Sequence, residues 1–245
     1  MKLWCLHGNL QHPSVWNLFE NTWHINSPNG VSSPLELECP NLWKNDATSF
    51  EQWTHQFCNQ VQQHSRHPQW LMGYSLGGRL ALHATIAQPN LWAGVIIIGA
   101  HPGFASVKEK EQQQMADNRW GQRFLEEPWN ELLTTWDALP VFGNRPNTSD
   151  RPEHMFSRAQ IAANFTNYSK GRQHYLTPML SQLTSPPILF ISGNEDEKYS
   201  SIGASLAEQC QSIQHVTIPK ACHRVPWENP EAFTKTIQVF LDKTS

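Results

Sequence analysis

Apolar residues gather along this chain in two ways, as short continuous runs and as helical stripes, and the two alternate. Leu3 to Leu6, Trp70 to Met72, Leu91 to Ala100 and Pro187 to Ile191 are runs rich in Ile, Val, Leu and Trp, and Ile213 to Ile218 is read as the last strand. Runs of that length, bounded by Gly and Pro, are expected of strands covered on both faces of a parallel sheet. Leu35 to Cys39, ended by Pro40, predicts a further short strand, and Ser27-Pro28-Asn29-Gly30 predicts a turn. Between the runs the period lengthens. Phe50, Trp53, Phe57 and Val61 recur at helical spacing behind Ser49, a good N-cap. A helix is expected from Ser14, with Ser14 as cap and Trp16, Leu18 and Phe19 on its apolar face. Asn194 to Tyr199 reads as a loop before a helix from Ser200 to Gln209, and Asn229-Pro230 caps a final helix to Leu241. The alternation predicts an α/β fold around a mostly parallel central sheet.

One stretch breaks the alternation. From 104 to 183 no strong strand run occurs, and the chain is polar and Gln-rich. Trp120, Phe124, Leu125, Trp129, Leu132, Leu133 and Trp136 recur at helical intervals. The expected organisation is a core of residues 1–103 and 184–245 with a helical cap formed by 104–183. At 245 residues the chain suits one large domain with such an insertion.

Charge and cysteine usage narrow the classes of function. The formal net charge is −3, and Lys and Arg are scattered, so no basic stripe predicts a nucleic-acid partner. Five cysteines without a C-x-x-C pair argue for a reducing compartment and against a disulfide or zinc scaffold. No signal peptide or membrane span is predicted, so the expected location is cytoplasmic. His64 and His67 have no third ligand nearby, so no metal site is predicted there. The eleven tryptophans serve either core packing or an aromatic-lined pocket.

Candidate chemistry collects where predicted strands end. Gly73-Tyr74-Ser75-Leu76-Gly77 fits G-x-S-x-G, a strand-to-helix corner that holds a serine hydroxyl out at the top of a sheet. Alone, it also fits a Gly-rich turn with a solvated serine. Asp196 and His223 follow two later strands, and the order Ser, Asp, His is that of an α/β-hydrolase triad. Such chemistry needs imidazole to take the serine proton and a buried carboxylate to orient the imidazole. Glu195 and Glu197 flank Asp196, and its place at a strand end selects it. The strand ending in His7-Gly8 predicts one oxyanion donor from the Asn9 N–H, with Leu10 as the fallback, and the Leu76 N–H supplies the other.

Further segments narrow the comparison. The elbow continues Gly78-Arg79-Leu80-Ala81-Leu82. Asp117-x-x-Trp120-Gly121-Gln122-Arg123-Phe124, Trp136-Asp137-Ala138-Leu139-Pro140-Val141-Phe142 and Ser169-Lys170-Gly171-x-Gln173 lie in the cap. Gly193-x-x-Asp196-x-Lys198-Tyr199 and Ala221-Cys222-His223-x-x-x-x-Glu228-Asn229-Pro230 close the chain. Nearly end to end, these segments resemble the MenH family, the 2-succinyl-6-hydroxy-2,4-cyclohexadiene-1-carboxylate (SHCHC) synthases of menaquinone and phylloquinone biosynthesis. The chain departs from the family pattern at Gln113, where an arginine is usual, and at Asn9-Leu10-Gln11, where Phe-Leu-Gly is frequent.

The resemblance implies an α/β-hydrolase fold and a lyase. Its substrate is 2-succinyl-5-enolpyruvyl-6-hydroxy-3-cyclohexene-1-carboxylate; a ring proton is abstracted by the triad and pyruvate is eliminated, with neither metal nor cofactor. It also implies that Arg79 and Arg158 hold substrate carboxylates, that Tyr74 and Trp136 line the pocket, and that Arg123 joins the substrate-binding set. A small polycarboxylate is the expected partner. The triad by itself serves a serine carboxylesterase or acyl-CoA thioesterase equally well.

Overall fold

The apolar runs become one parallel sheet, and their alternate residues feed two cores. A computed structural model describes residues 1–26 and 32–244. In chain order it contains β1 (Lys2–Leu6), β2 (His24–Asn26), β3 (Ser32–Pro34), β4 (Glu36–Glu38), α1 (Phe50–His64), β5 (Gln69–Tyr74), α2 (Leu76–Ala87) and β6 (Trp92–Ile98). Then follow α3 (Val107–Glu126), α4 (Trp129–Asp137), α5 (Arg158–Asn167), α6 (Thr177–Leu180), β7 (Ile188–Gly193), α7 (Glu197–Gln209), β8 (Ile213–Ile218), α8 (Val225–Glu228) and α9 (Pro230–Thr244).

The sheet order is β4-β1-β5-β6-β7-β8, and every neighbouring pair is parallel. Trp4, Leu6, Leu71, Val95, Ile97, Ile188 and Phe190 face the core beneath α1, α2 and α7. Leu3, Cys5, Trp70, Met72, Ile96, Ile98, Leu189 and Ile191 face the opposite core, closed by α9 and by Trp16, Phe19 and Trp23. A sheet buried on both sides needs apolar residues at every position, which is why the runs are continuous. The order has one topological consequence. The chain leaves β1 toward β4 on one side and returns to β5 on the other, so the loops after β1 and β5 diverge and open a crevice at the strand ends.

Helices α3 to α6 lie between β6 and β7 and contribute no strand to the sheet. They carry their own apolar cluster, in which Phe124, Trp129, Leu132, Phe156, Ile161 and Phe165 meet Leu10 and Trp43 of the core. Asp137, at the end of α4, ties this cap to the histidine loop by pairing with Arg224 and with Arg151.

Several local expectations change. The first helix is a 3-10 turn, Pro13–Phe19, capped by His12 rather than Ser14, with the His12 ring accepting the Ser14 N–H at 3.4 Å. Leu18 and Leu125 are 64 % and 50 % exposed, so both fall off the faces assigned to them. The loop expected at 194–199 is shorter, because the Asp196 carboxylate accepts the Tyr199 N–H at 3.2 Å and starts α7 at Glu197. The β2/β3 ribbon was not expected; its strands are three residues each, too short for a period to show. The turn expected at Ser27 to Gly30 lies outside the described residues. Ser49 caps α1 and Asn229 caps α9, as read from the pattern.

Among the described residues no helix is long and apolar enough to cross a membrane, and no group of three His, Cys, Asp or Glu side chains is placed to hold a metal. His64 instead bonds the carbonyl of Gln60 at its helix end. All five cysteines are free thiols.

Candidate active site

Ser75 stands between β5 and α2 with φ 53° and ψ −107°, a conformation that L-residues adopt at a cost. Two glycines make the corner possible. A Cβ on Gly73 would meet the carbonyl oxygen of Gly77 at 2.3 Å, and one on Gly77 would meet that of Leu6 at 2.3 Å. Both obstacles are backbone, so neither can swing away. Gly77→Ala is therefore expected to destabilise the fold by at least about 3 kcal/mol, the upper end of overpacking costs. Denaturant unfolding measures it; a loss below about 1 kcal/mol would show that the corner can relax.

The loops after β7 and β8 bring Asp196 and His223 to this corner. His223 Nδ1 lies 2.9 Å from Asp196 Oδ2, and Nε2 lies 3.3 Å from Ser75 Oγ. An ionised carboxylate only accepts, so Nδ1 carries the proton and Nε2 is left to accept from the serine hydroxyl. Asp196 and His223 are each 4 % exposed, which keeps their bond dry. Three rings hold the imidazole, with centroids at 4.7 Å (Tyr199), 5.3 Å (Tyr74) and 5.9 Å (Phe142). Glu228 braces the loop by accepting the N–H groups of Cys222 and Arg224.

The two N–H groups expected as oxyanion donors follow β1 and β5. Leu76 opens α2 and Asn9 follows His7-Gly8; neither N–H has a hydrogen-bond acceptor among the described residues. His7 is structural. Its Nδ1 meets the carbonyl of Gly8 at 2.9 Å and its Nε2 accepts the Leu42 N–H at 3.1 Å, while burial pushes its pKa down to about 4. The neutral ring thus fixes the bend that presents Asn9.

A cavity of about 200 Å³ opens over the triad. Ser75, His223 and Asn9 form its floor; Trp120, Trp136 and Phe165 of the cap form an aromatic wall. Trp136 meets Trp120 edge-on at 5.1 Å and Phe165 at 5.6 Å. Arg79 enters from α2. It is buried, and its Nη1 donates to the Tyr168 carbonyl at 2.6 Å. Burial lowers its pKa, opposed by the charges of Asp117 and Tyr199. Arg79 forms no ion pair among the described residues, and neither do Lys170 and Lys198, which line the same cavity. The single acid in the wall, Asp117, accepts from the amide of Gln113 at 2.8 Å. The Asn164 side-chain nitrogen on the same wall has no partner. The site therefore presents cations and an unpaired amide donor in a partly dry, ring-lined space, where charge-assisted hydrogen bonds to an anion are strengthened.

Not every residue singled out from the sequence reaches this space. Ser75, His223, Asn9, Arg79 and Trp136 line it, Asp196 stands behind His223, and the Leu76 side chain is buried in the core while its N–H opens α2. Tyr74 is buried against His223 and Trp227 and lines a small neighbouring cleft that also touches Ser75 and Asn9. Arg123 and Arg158 do not line the cavity. Arg123 forks onto Glu127 one turn along α3 and lies over the Trp120 ring at 4.4 Å. Arg158 bonds Glu153 at 2.5 Å and the carbonyls of Phe124 and Glu127 at 3.2 and 2.6 Å. Each is held by a local carboxylate that sequence position alone did not reveal. Lys170, Lys198, Tyr168 and Asn164 were not expected in the site, because such residues are usually solvated or plain packing.

Comparison with known proteins agrees with this geometry. A family model described as alpha/beta hydrolase fold matches residues 26–230. The chain is 31 % identical over 245 residues to the 2-succinyl-6-hydroxy-2,4-cyclohexadiene-1-carboxylate synthase of Serratia proteamaculans, covering 96 % of this chain and 91 % of that protein. It is 38 % identical over 178 residues to the synthase of the same name from Escherichia fergusonii, covering 70 % and 68 %. Among solved structures, MenH from S. aureus superposes with a TM-score of 0.83 at 19 % identity, covering all of this chain and 94 % of that one. A thermophilic esterase from Thermogutta terrifontis superposes at 0.67 with 20 % identity, covering all of this chain and 90 % of that one. These two structures speak to the fold. The extent and level of the sequence matches, with the hydrolase-fold model across most of the chain, place this protein in the SHCHC synthase (MenH) family of the α/β-hydrolase superfamily.

Proposed function

We propose that the protein eliminates pyruvate from 2-succinyl-5-enolpyruvyl-6-hydroxy-3-cyclohexene-1-carboxylate to give SHCHC, a step of menaquinone or phylloquinone biosynthesis. The observation that carries this reading is the placement of Arg79, buried and without a carboxylate partner, in the cavity that opens on Ser75.

The two ring systems define the bond changes. The substrate has one double bond, at C3, and the product has two, at C2 and C4. The proton therefore leaves C2, next to the succinyl ketone, and the enolpyruvyl oxygen leaves C5. Ser75 Oγ takes the C2 proton as its own proton passes to His223 Nε2. The charge released at C2 moves into the ketone oxygen, where the Asn9 and Leu76 N–H groups meet it. As the enolate collapses, C2=C3 and C4=C5 form and the C5–O bond breaks. His223 returns its proton to the leaving oxygen, and the enol becomes pyruvate. Asp196 stabilises the imidazolium between the two transfers. No covalent enzyme intermediate is needed.

The substrate carries three carboxylates, on the ring, the succinyl arm and the enolpyruvyl group. Arg79, in a partly dry wall, supplies a fork for one of them. The same triad supports ester hydrolysis, but an acyl chain gains nothing from a wall of unpaired cations. Purified protein supplied with the enolpyruvyl substrate formed in situ, beside a p-nitrophenyl ester and an acyl-CoA, tests the reading. Pyruvate and SHCHC are the expected products; turnover of the ester or thioester without pyruvate would overturn it.

A further inference from the structure

Within the cavity, Lys170 has no assigned task, and its setting is unusual for a lysine. It is half-buried on the loop that follows α5, and that loop is pinned at several points. Ser169 Oγ accepts the Gly171 N–H at 3.1 Å, the Gly171 carbonyl accepts from Gln114 of α3 at 3.0 Å, and Gln173 Nε2 donates to the His101 carbonyl at 2.9 Å. Gly171 packs so closely on α3 that a Cβ there would meet the Lys110 carbonyl at 2.1 Å. Two residues before Lys170, the Tyr168 carbonyl holds Arg79. The backbone is thus pinned on both sides of Lys170, and the same loop holds the Arg79 guanidinium.

The charged and titratable groups around Lys170 come from each neighbouring element: Arg79 of α2, Asp117 of α3, Lys198 of α7, and neutral His101 after β6. Apart from the triad, three cations stand against one carboxylate, and that carboxylate bonds an amide rather than any of them. The wall therefore has an excess of two positive charges. A single substrate carboxylate on Arg79 would leave a partly buried cation unneutralised, which is costly.

We propose that Lys170 is a second carboxylate anchor, separate from Arg79, that selects substrates carrying two or more carboxylates. The proposal deepens the function given above and rests on that reading for the identity of the substrate, but the anchor itself can be tested without the elimination reaction. Burial and the charges of Lys198 and Arg79 push the Lys170 pKa down to about 8. Below that pH the ammonium is charged and binds; above it the group is neutral and the anchor is lost.

The test compares wild type, Lys170→Met and Lys170→Arg by NMR titration with glutarate, a dicarboxylate, and butyrate, its monocarboxylate counterpart, at pH 7 and 9.5. Wild type is expected to prefer glutarate at pH 7 by roughly tenfold or more, the worth of one charge-assisted hydrogen bond. The preference collapses in Lys170→Met at pH 7 and in wild type at pH 9.5, and persists at both in Lys170→Arg. An equal preference in wild type and Lys170→Met at pH 7 would overturn the anchor. With the enolpyruvyl substrate, Lys170→Met is expected to raise KM about 10- to 100-fold with kcat within about threefold. Turnover with an unchanged KM in that variant removes the anchor alone. Absence of turnover with glutarate selection intact removes the proposed reaction and leaves the anchor.

Discussion

Ser75→Ala is expected to lower kcat for pyruvate release by at least about 10³-fold with little change in KM, as for loss of a group that acts only in the transition state. The hydroxyl stands between His223 Nε2, at 3.3 Å, and the cavity, so it is the group through which the imidazole reaches the substrate. Alanine leaves a methyl facing the C2 proton and the imidazole without its relay. Arg79, Lys170 and Lys198 do not depend on this side chain, so binding survives. The corner's φ of 53° is retained in the variant, and because alanine meets the same strain as serine, thermal stability should change little. A variant that kept more than about a tenth of wild-type kcat would remove the serine from the base system.

The second large effect is at Arg79. Arg79→Met is expected to lower kcat/KM by about 10² to 10³-fold, the usual cost of truncating one partner of a buried charge pair. Arg79→Lys should recover only part of it, since a single ammonium cannot fork onto a carboxylate. Some of the loss is structural. The guanidinium satisfies the Tyr168 carbonyl and lies over the Phe50 ring at 5.7 Å, so its removal loosens the loop that carries Lys170. A melting curve beside the kinetics separates the two contributions. If kcat/KM in Arg79→Met stays within about threefold of wild type while the fold is intact, Arg79 holds no substrate group.

How much of this was readable in the chain depends on what each feature needs. The central strands were legible because a sheet covered on both faces leaves no polar position between Val95 and Ile98 or between Ile188 and Ile191. The elbow was legible because two steric contacts at 2.3 Å allow only glycine. Asp196 and His223 followed from their places at strand ends. Arg123 and Arg158 could not be placed in the same way. An arginine turns toward a nearby acceptor: Glu127 lies four residues along α3 from Arg123, and Glu153 lies five residues before Arg158 in the turn that precedes α5. Lys170 and Lys198 were hidden for the opposite reason: nothing local distinguishes a lysine held over a cavity from a solvated one, and only the packing of the loop on α3 and the start of α7 puts them over Ser75. His12 displaced Ser14 as a cap because its ring, one residue before Pro13, already reaches the free N–H.

The proposed elimination requires that this triad remove a carbon-bound proton rather than attack a carbonyl. The most direct measurement supplies wild-type protein with enolpyruvyl substrate deuterated at C2 and follows label and products together. Elimination gives SHCHC and pyruvate in equal amounts, with the C2 deuterium lost to solvent, a primary isotope effect on kcat/KM, and all of it abolished in Ser75→Ala. Substrate left with its label in place while p-nitrophenyl ester or acyl-CoA is hydrolysed through Ser75 would contradict it.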